Sequence, residues 1–338
     1  MAFLFKRNPK TPQDIVRALN DSVLKLDVNS DNNKKYQDEC ARLLAQVKVV
    51  LHGDDENDPQ PDQISHLAQE VYATDCLYTL IANLKKLSFD SRKDVLILFS
   101  TLLRRQIAGK SPTVDYLITQ RPEIIAMLIK GPESQETGLI CGQILRDCIK
   151  FEVINKYVIS SPLFWNFFKY VHLPVFEIAT DSFTTLHDSL TIHKKLVSEF
   201  LANNYDVFTT QINKLIQSNN YVTKRQSVRL LSELVLQRQN QAFLNKYFDD
   251  STNLKIIMFL LSDKSKNLQL EGFHIFKFFV AKPKKSQKVL DILAKNKENF
   301  IEFFNAFDIH SFNDVNLADE RDYILMEIQK LPEIERIS

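Results

Sequence analysis

Along most of the chain, apolar residues recur at spacings of three and four, the stripe that one face of an α-helix presents to a core. Extended period-two alternation is scarce. Five segments repeat one pattern: DVLILFSTLLRRQ (94–106), GLICGQILRDCIK (138–150), ATDSFTTLHDSLT (179–191), RQSVRLLSELVLQ (225–237) and LEGFHIFKFFVAK (270–282). Each places a large residue three positions before a second anchor, giving Phe99/Leu102, Leu145/Cys148, Leu186/Ser189, Leu231/Leu234 and Phe276/Phe279, with Ser189 the polar member. Successive anchors stand 46, 41, 45 and 45 residues apart, the period of armadillo or HEAT units. One helical hairpin cannot bury its apolar face alone, so neighbours stack. The expected fold is all-α, an armadillo/HEAT-like helical-repeat solenoid forming a curved rod with a concave face. An irregular helical bundle is the competing architecture.

The pattern divides a single domain, 1–338, into four stretches. Residues 1–52 read as an N-terminal helical cap and 64–300 as the stacked repeats. GDDENDPQPDQ (53–63), the most polar segment, reads as an exposed acidic connector, and 301–338 as an acidic helical cap. HLAQEVYATDCLYTLIANLKKL (66–87) and VDYLITQRPEIIAMLIKG (114–131) carry helical periodicity broken by turns. KGPES (130–134), SSPLF (160–164) and AKPKKS (281–286) read as loops between helices.

Composition supports long helices: only 6 residues are Gly and 11 are Pro, too few for the frequent turns of an all-β chain. Net charge is +1, but residues 221–300 hold 15 Lys/Arg against 7 Asp/Glu, whereas 301–338 hold 3 against 9. Such asymmetry suits either a surface that attracts anions or a tail folded back on the basic block. No run approaches the ~18 apolar residues of a membrane span. MAFLFKRNPK is too short and wrongly ordered for a signal peptide. Ala2 excludes myristoylation and ERIS is no prenylation box. The expectation is a cytosolic or nucleocytoplasmic protein.

Candidate chemistry is thin. AGKS (108–111) would need a glycine at Arg104 to be a phosphate loop, so a turn before a helix opening at Pro112 is expected. DDEND (54–58) would need a glycine where Pro59 stands and a glutamate where Ser65 stands to hold calcium. Cys40, Cys76, Cys141 and Cys148 lack zinc spacing and read as buried thiols. His187 and His193 have no metal-spaced partner. No catalytic or cofactor motif is found, so neither enzyme activity nor a cofactor is expected. FWNFFKYVHLPVF (164–176), with the single tryptophan Trp165, reads as core filling, or else as a partner groove.

YVTKRQSVRLLSELVLQRQN (221–240) carries four cations on an amphipathic helix. Thr223 and Gln226 form a T-x-x-Q capping box that predicts a start at Lys224. Arg229 can reach Glu233 one turn on. Arg225 has no such local partner and faces the unfavourable end of the dipole, a locally broken rule. Arg238 is expected at the helix end on the inward side. In the next unit Lys255 and Met258 share a face, and Lys295 sits on a helix surface. A pocket lined by Met258 and flanked by Arg225, Lys255 and Lys295 would suit a peptide with an aromatic residue and a carboxylate. A solvated basic face is the alternative, as is a module for nucleic acid or anionic membrane using 221–300.

KTPQDIVRAL (10–19), KDVLILFSTLLRRQI (93–107), SPTVDYLITQ (111–120), NYVTKRQSVRLLSEL (220–234), DKSKNLQLEGFHIFKFFVAKPKK (263–285) and DILAKN (291–296) resemble the calcium-binding protein 39 family, also called the mouse-protein-twenty-five family. The resemblance implies a non-catalytic scaffold that binds and activates germinal-centre/STE-twenty-class kinases or STRAD-like pseudokinases, with a further kinase in the same complex. It implies a C-terminal pocket for a partner's W-E-F-type tail, matched by Arg225, Lys255, Met258 and Lys295, with Phe176 and Tyr221 nearby. It implies a concave kinase contact that includes Arg238. There the family pattern R-H-N-F reads R-Q-N-Q, so Gln241 replaces an aromatic anchor. Fungal relatives imply a role in polarised growth and cell separation, with cytoplasmic protein concentrated at such sites. Neither nucleic-acid binding nor membrane insertion is implied.

Overall fold

A computed structural model describes residues 11–27, 29, 31–56, 58–307 and 315–333. The N-terminal run 1–10 and the closing ERIS therefore lie outside the described residues. The helices gather into two compact units, Met1–Ile192 and His193–Ser338. The first holds α1 (Pro12–Leu24), α2 (Asn33–His52), α3 (Pro61–Ala73), α4 (Cys76–Ala82), α5 (Phe89–Arg104), α6 (Pro112–Thr119), α7 (Glu123–Lys130), α8 (Gly138–Ile149), α9 (Glu152–Ser160), α10 (Phe167–Tyr170) and α11 (Phe176–Thr191). The second holds α12 (Lys194–Asn203), α13 (Tyr205–Ile216), α14 (Tyr221–Val235), α15 (Gln241–Tyr247), α16 (Ser251–Leu261), α17 (Lys266–Ala281), α18 (Gln287–Lys295), α19 (Lys297–Ala306) and α20 (Leu317–Gln329).

The five anchor pairs fall on α5, α8, α11, α14 and α17, and all ten side chains are buried. Every third helix is thus an anchor helix. The repeat is a three-helix armadillo-like unit rather than the hairpin of the simplest reading. Pro122 makes the difference between α6 and α7, because the residue before a proline is pushed out of the helical region. Ser189 is tolerated in its core position because its hydroxyl donates to the Thr185 carbonyl at 2.7 Å. Within the first unit α2, α5, α8 and α11 pack in sequence, and within the second α14, α17 and α20 do. Burying each large anchor stabilises by about 1.5–3 kcal/mol before entropy is charged against it.

Local chemistry sets the breaks. Thr11 and Asp14 make a reciprocal capping box on α1. Ser88 caps α5, and Ser111 caps α6 just ahead of Pro112. AGKS forms a tight turn, with Ala108 and Gly109 at φ of 51° and 76° and Ile107 bridged to Lys110. Asp75, at φ 54°, divides α3 from α4; Tyr116 and the Arg121 guanidinium hold its carboxylate. Residues 53–56 and 58–60 lie in the polar connector, with α3 opening at Pro61, inside the stretch expected as connector. KGPES and SSPLF, expected as loops, instead contain short 3₁₀ helices, Gly131–Glu133 and Pro162–Asn166, each seeded by a proline in its first turn. α19 runs across the boundary expected at 300/301.

Candidate functional site

The sequence of α16 leaves a ligand-facing strip. Asp250 caps the helix by accepting the Thr252 N–H at 2.8 Å. Leu254, Ile257, Leu260 and Leu261 then turn into the core. This phase presents Lys255, Met258 and Phe259 outward, opposite α19. There Phe300 packs on Phe276 with ring centroids 4.9 Å apart, and Phe303 packs on Phe304 at 5.0 Å. Between the two helices lies a cavity of about 410 Å³. Its walls are Met258, Phe259, Leu261, Phe300 and Phe303, with Asn296, Asn299 and Ser262 as polar points. Lys255 is the one charged lining residue and has no ion pair among the described residues. Phe259 is 77% exposed at the mouth, a large uncovered apolar surface. Such a site receives an aromatic or aliphatic side chain and offers a cation to a neighbouring carboxylate.

Lys255 and Met258 are thus brought together. Lys295 ends α18, exposed, one residue before Asn296, and does not itself line the cavity. Tyr221 and Arg225 sit near the start of α14, both exposed and outside the lining. Tyr221 shares a 3.2 Å hydrogen bond with Ser265, and that bond, with Arg225 nearby, holds its phenol below the ordinary value. Arg225 has no carboxylate partner among the described residues. Phe176 opens α11 in the first unit and is 59% exposed. Gln241 opens α15, exposed, with its amide donating to Asn245 at 2.7 Å.

Two expectations for the 221–240 helix are corrected. α14 starts at Tyr221, capped by Asn220, whose side chain accepts from the Val222 and Thr223 amides. Thr223 is buried inside the first turn, where its carbonyl accepts from Ser227. Asn220 wins because its amide oxygen satisfies two orphan N–H groups at once. Arg225 is consequently one turn further from the positive helix end than the capping box implied. The helix also ends early, at Val235, so Arg238 opens a separate 3₁₀ turn and is exposed rather than inward. Arg229 does pair with Glu233, at 3.2 Å.

The aromatic walls Phe259, Phe300 and Phe303 were missed by sequence reasoning. Their signal was an apolar run in IIMFLL longer than one buried face requires, and the paired phenylalanines of ENFIEFF. In FWNFFKYVHLPVF, by contrast, Phe164, Phe167, Phe168 and Tyr170 are buried and in mutual ring contact, so the segment fills core. The four cysteines are buried, and burial pushes their thiols up, Cys40 to about 11 and Cys76 and Cys141 to about 12.

The basic block is neutralised in part, by pairs within it and by the acidic tail. Lys224 pairs with Asp263 at 2.6 Å, Lys282 with Asp249 at 2.5 Å and Lys277 with Glu320 of the acidic tail at 2.7 Å. Lys297 donates to the Leu331 carbonyl. The tail therefore touches the block at Lys277 and Lys297, and the Glu320 carboxylate offsets one of its cations. Among the described residues no helix is long and apolar enough to cross a membrane.

Three-helix repeats packed through their anchor helices, with an apolar cavity between α16 and α19, define an armadillo-like repeat scaffold. The Mo25-like family profile matches residues 3–332. The chain is 44% identical over 328 residues to "Calcium-binding protein 39-like" of Homo sapiens, covering 97% of each. It is 37% identical over 361 residues to "Conidiophore development protein hymA" of Emericella nidulans, covering 98% of this chain and 94% of that one. This chain belongs to the Mo25-like family. Among solved structures, an engineered protein superposes with a TM-score of 0.50 at 12% identity, over 95% of this chain and 74% of its own, a likeness of fold alone.

Proposed function

We propose that the protein is a non-catalytic scaffold that captures the W-E-F-type tail of a protein kinase or pseudokinase of the germinal-centre/STE-twenty class and favours that partner's active arrangement. The observation that carries the reading is the α16–α19 cavity. It puts Lys255 and Met258, which match the family's tail pocket, among aromatic walls with no lining carboxylate. An aromatic side chain fits such walls, and an adjacent glutamate meets the cation. Tail and kinase-domain attachments on one chain raise effective concentration. Activation requires tighter binding to the active conformer than to the inactive one. Arg225, Tyr221 and Lys295 are assigned to the surroundings of the tail, and Arg238 and Gln241 to the kinase-domain contact. A role in polarity and morphogenesis, exercised in the cytoplasm at sites of growth, belongs to the same reading; the Emericella relative is named for conidiophore development.

Titration calorimetry with a peptide ending in W-E-F tests the pocket: saturable heat is expected, and affinity unchanged in both Arg225→Ala and Met258→Ala would overturn the assignment. Turnover of germinal-centre-class kinases with and without the protein tests activation, and no change for any of them would count against it.

A further inference from the structure

A second concavity lies in the first unit, between α6 and α9. It has a volume of about 420 Å³ and is lined by Ile118, Val153, Lys156, Tyr157, Ser160 and the start of the 3₁₀ turn at Ser161–Pro162. Its apolar surface is uncovered: Val153 is 49% exposed and Tyr157, one turn on, 39%. Large apolar side chains at i and i+4 beside a groove form the pattern that receives an amphipathic partner segment. The polar groups there are donors. Lys156 has no ion pair among the described residues, although Glu152 stands one turn before it. The Tyr157 and Ser160 hydroxyls likewise have no hydrogen-bond partner among the described residues. Ser161 accepts from the Leu163 amide and keeps its own proton to give. No carboxylate lines the groove. It repeats the chemistry of the α16–α19 cavity, one unpaired lysine against aromatic and aliphatic walls.

We propose that the α6–α9 groove is a second docking site, taking a partner segment in which apolar residues are interleaved with carboxylates. The apolar residues cover Ile118, Val153 and Tyr157, and a carboxylate supplies the acceptor for Lys156 and the hydroxyls. Because Val153 and Tyr157 are open to solvent, the occupant is a segment of a macromolecule rather than an enclosed small ligand. The site is independent of the tail cavity, and failure of either leaves the other standing.

The test is methyl NMR on the full chain, labelled at Ile, Val and Met methyls, titrated with the blocked peptide EELFEELLEE and with its basic counterpart KKLFKKLLKK. The acidic peptide is expected to move the Ile118 and Val153 methyls saturably, while the basic one leaves them in place. Lys156→Glu should weaken this binding at least tenfold, Lys156→Arg should retain it, and Lys35→Glu, on α2 and outside the lining, should leave it unchanged. The Met258 methyl reports the tail cavity separately. Still methyls up to about 1 mM peptide, equal shifts from both peptides, or indifference to Lys156→Glu would each overturn the proposal. So would Lys156-dependent shifts from phosphatidylserine vesicles without any from the peptide, which would assign the groove to a lipid surface.

Discussion

Lys277 donates to both carboxylate oxygens of Glu320 at 2.7 Å, joining the basic block 221–300 to the acidic tail. The lysine side chain is 16% exposed and His274 stands 3.9 Å away on the same carboxylate, so this pair is sheltered more than a surface bridge. Removing the carboxylate leaves a half-buried ammonium without its partner. Glu320→Ala is expected to lower stability to urea by about 1.5–3 kcal/mol. The loss should change little with added salt, because shelter limits screening. A loss below about 0.5 kcal/mol would mean that α20 is held by Leu317, Ile324 and Ile328 alone.

The start of α14 gives a sharper test, because two residues compete for the role of cap. Asn220→Ala removes the acceptor of two amides and should cost about 1 kcal/mol. Gln226→Ala, the partner in the alternative capping box, should stay within about 0.5 kcal/mol of the parent. Paired urea melts decide between them, and the reverse order would move the helix start back to Lys224.

The same helix shows how far sequence reaches. Its leucines were readable because burial repeats every 41 to 46 residues, and a period survives errors at single positions. The cap was not, because N-Y-V-T offers asparagine and threonine three residues apart and only packing shows that Thr223 goes inside. The cavity was half readable. Lys255 and Met258 followed from helical spacing, whereas Phe300 and Phe303 come from a helix over 40 residues away whose approach depends on how the repeats stack. Phe259 was hidden for another reason: inside an apolar run, an outward residue looks like one more core position.

The four thiols predict a pH response with a definite sign. Burial raises each above the ordinary 9.0, Cys40 to about 11, Cys76 and Cys141 to about 12. Above pH 9 the unfolded chain ionises its cysteines while the folded chain does not, so the unfolded state binds fewer protons and stability falls as pH rises. The contribution is complete below pH 9 and is lost as pH rises through these folded-state values. Urea melts between pH 8 and 11 should therefore slope downward, and Cys76→Ala should flatten part of that slope. At pH 8 a thiol-specific colorimetric reagent should react slowly with the native protein and promptly in urea. Fast native labelling would contradict the burial.

Lys255 and Met258 stand one turn apart on α16 and should fail differently as tail-pocket residues. Lys255 is exposed and unpaired, so Lys255→Gln should leave folding within about 0.5 kcal/mol of the parent. Binding of a W-E-F peptide should weaken by about 0.5–1 kcal/mol, the value of a solvent-facing charge contact. Met258 contributes apolar contact instead. Met258→Ala should cost about 1–2 kcal/mol of binding through lost area, close to tenfold in affinity. Ionic strength separates the two. Raising salt screens the charge contact, so it should weaken the parent and Met258→Ala alike while hardly affecting Lys255→Gln. Calorimetry of the three proteins at low and high salt reads this directly. A salt response that persists in Lys255→Gln would shift the charge recognition to another cation, with Lys295 beside Asn296 and then Arg225 as the next residues to substitute.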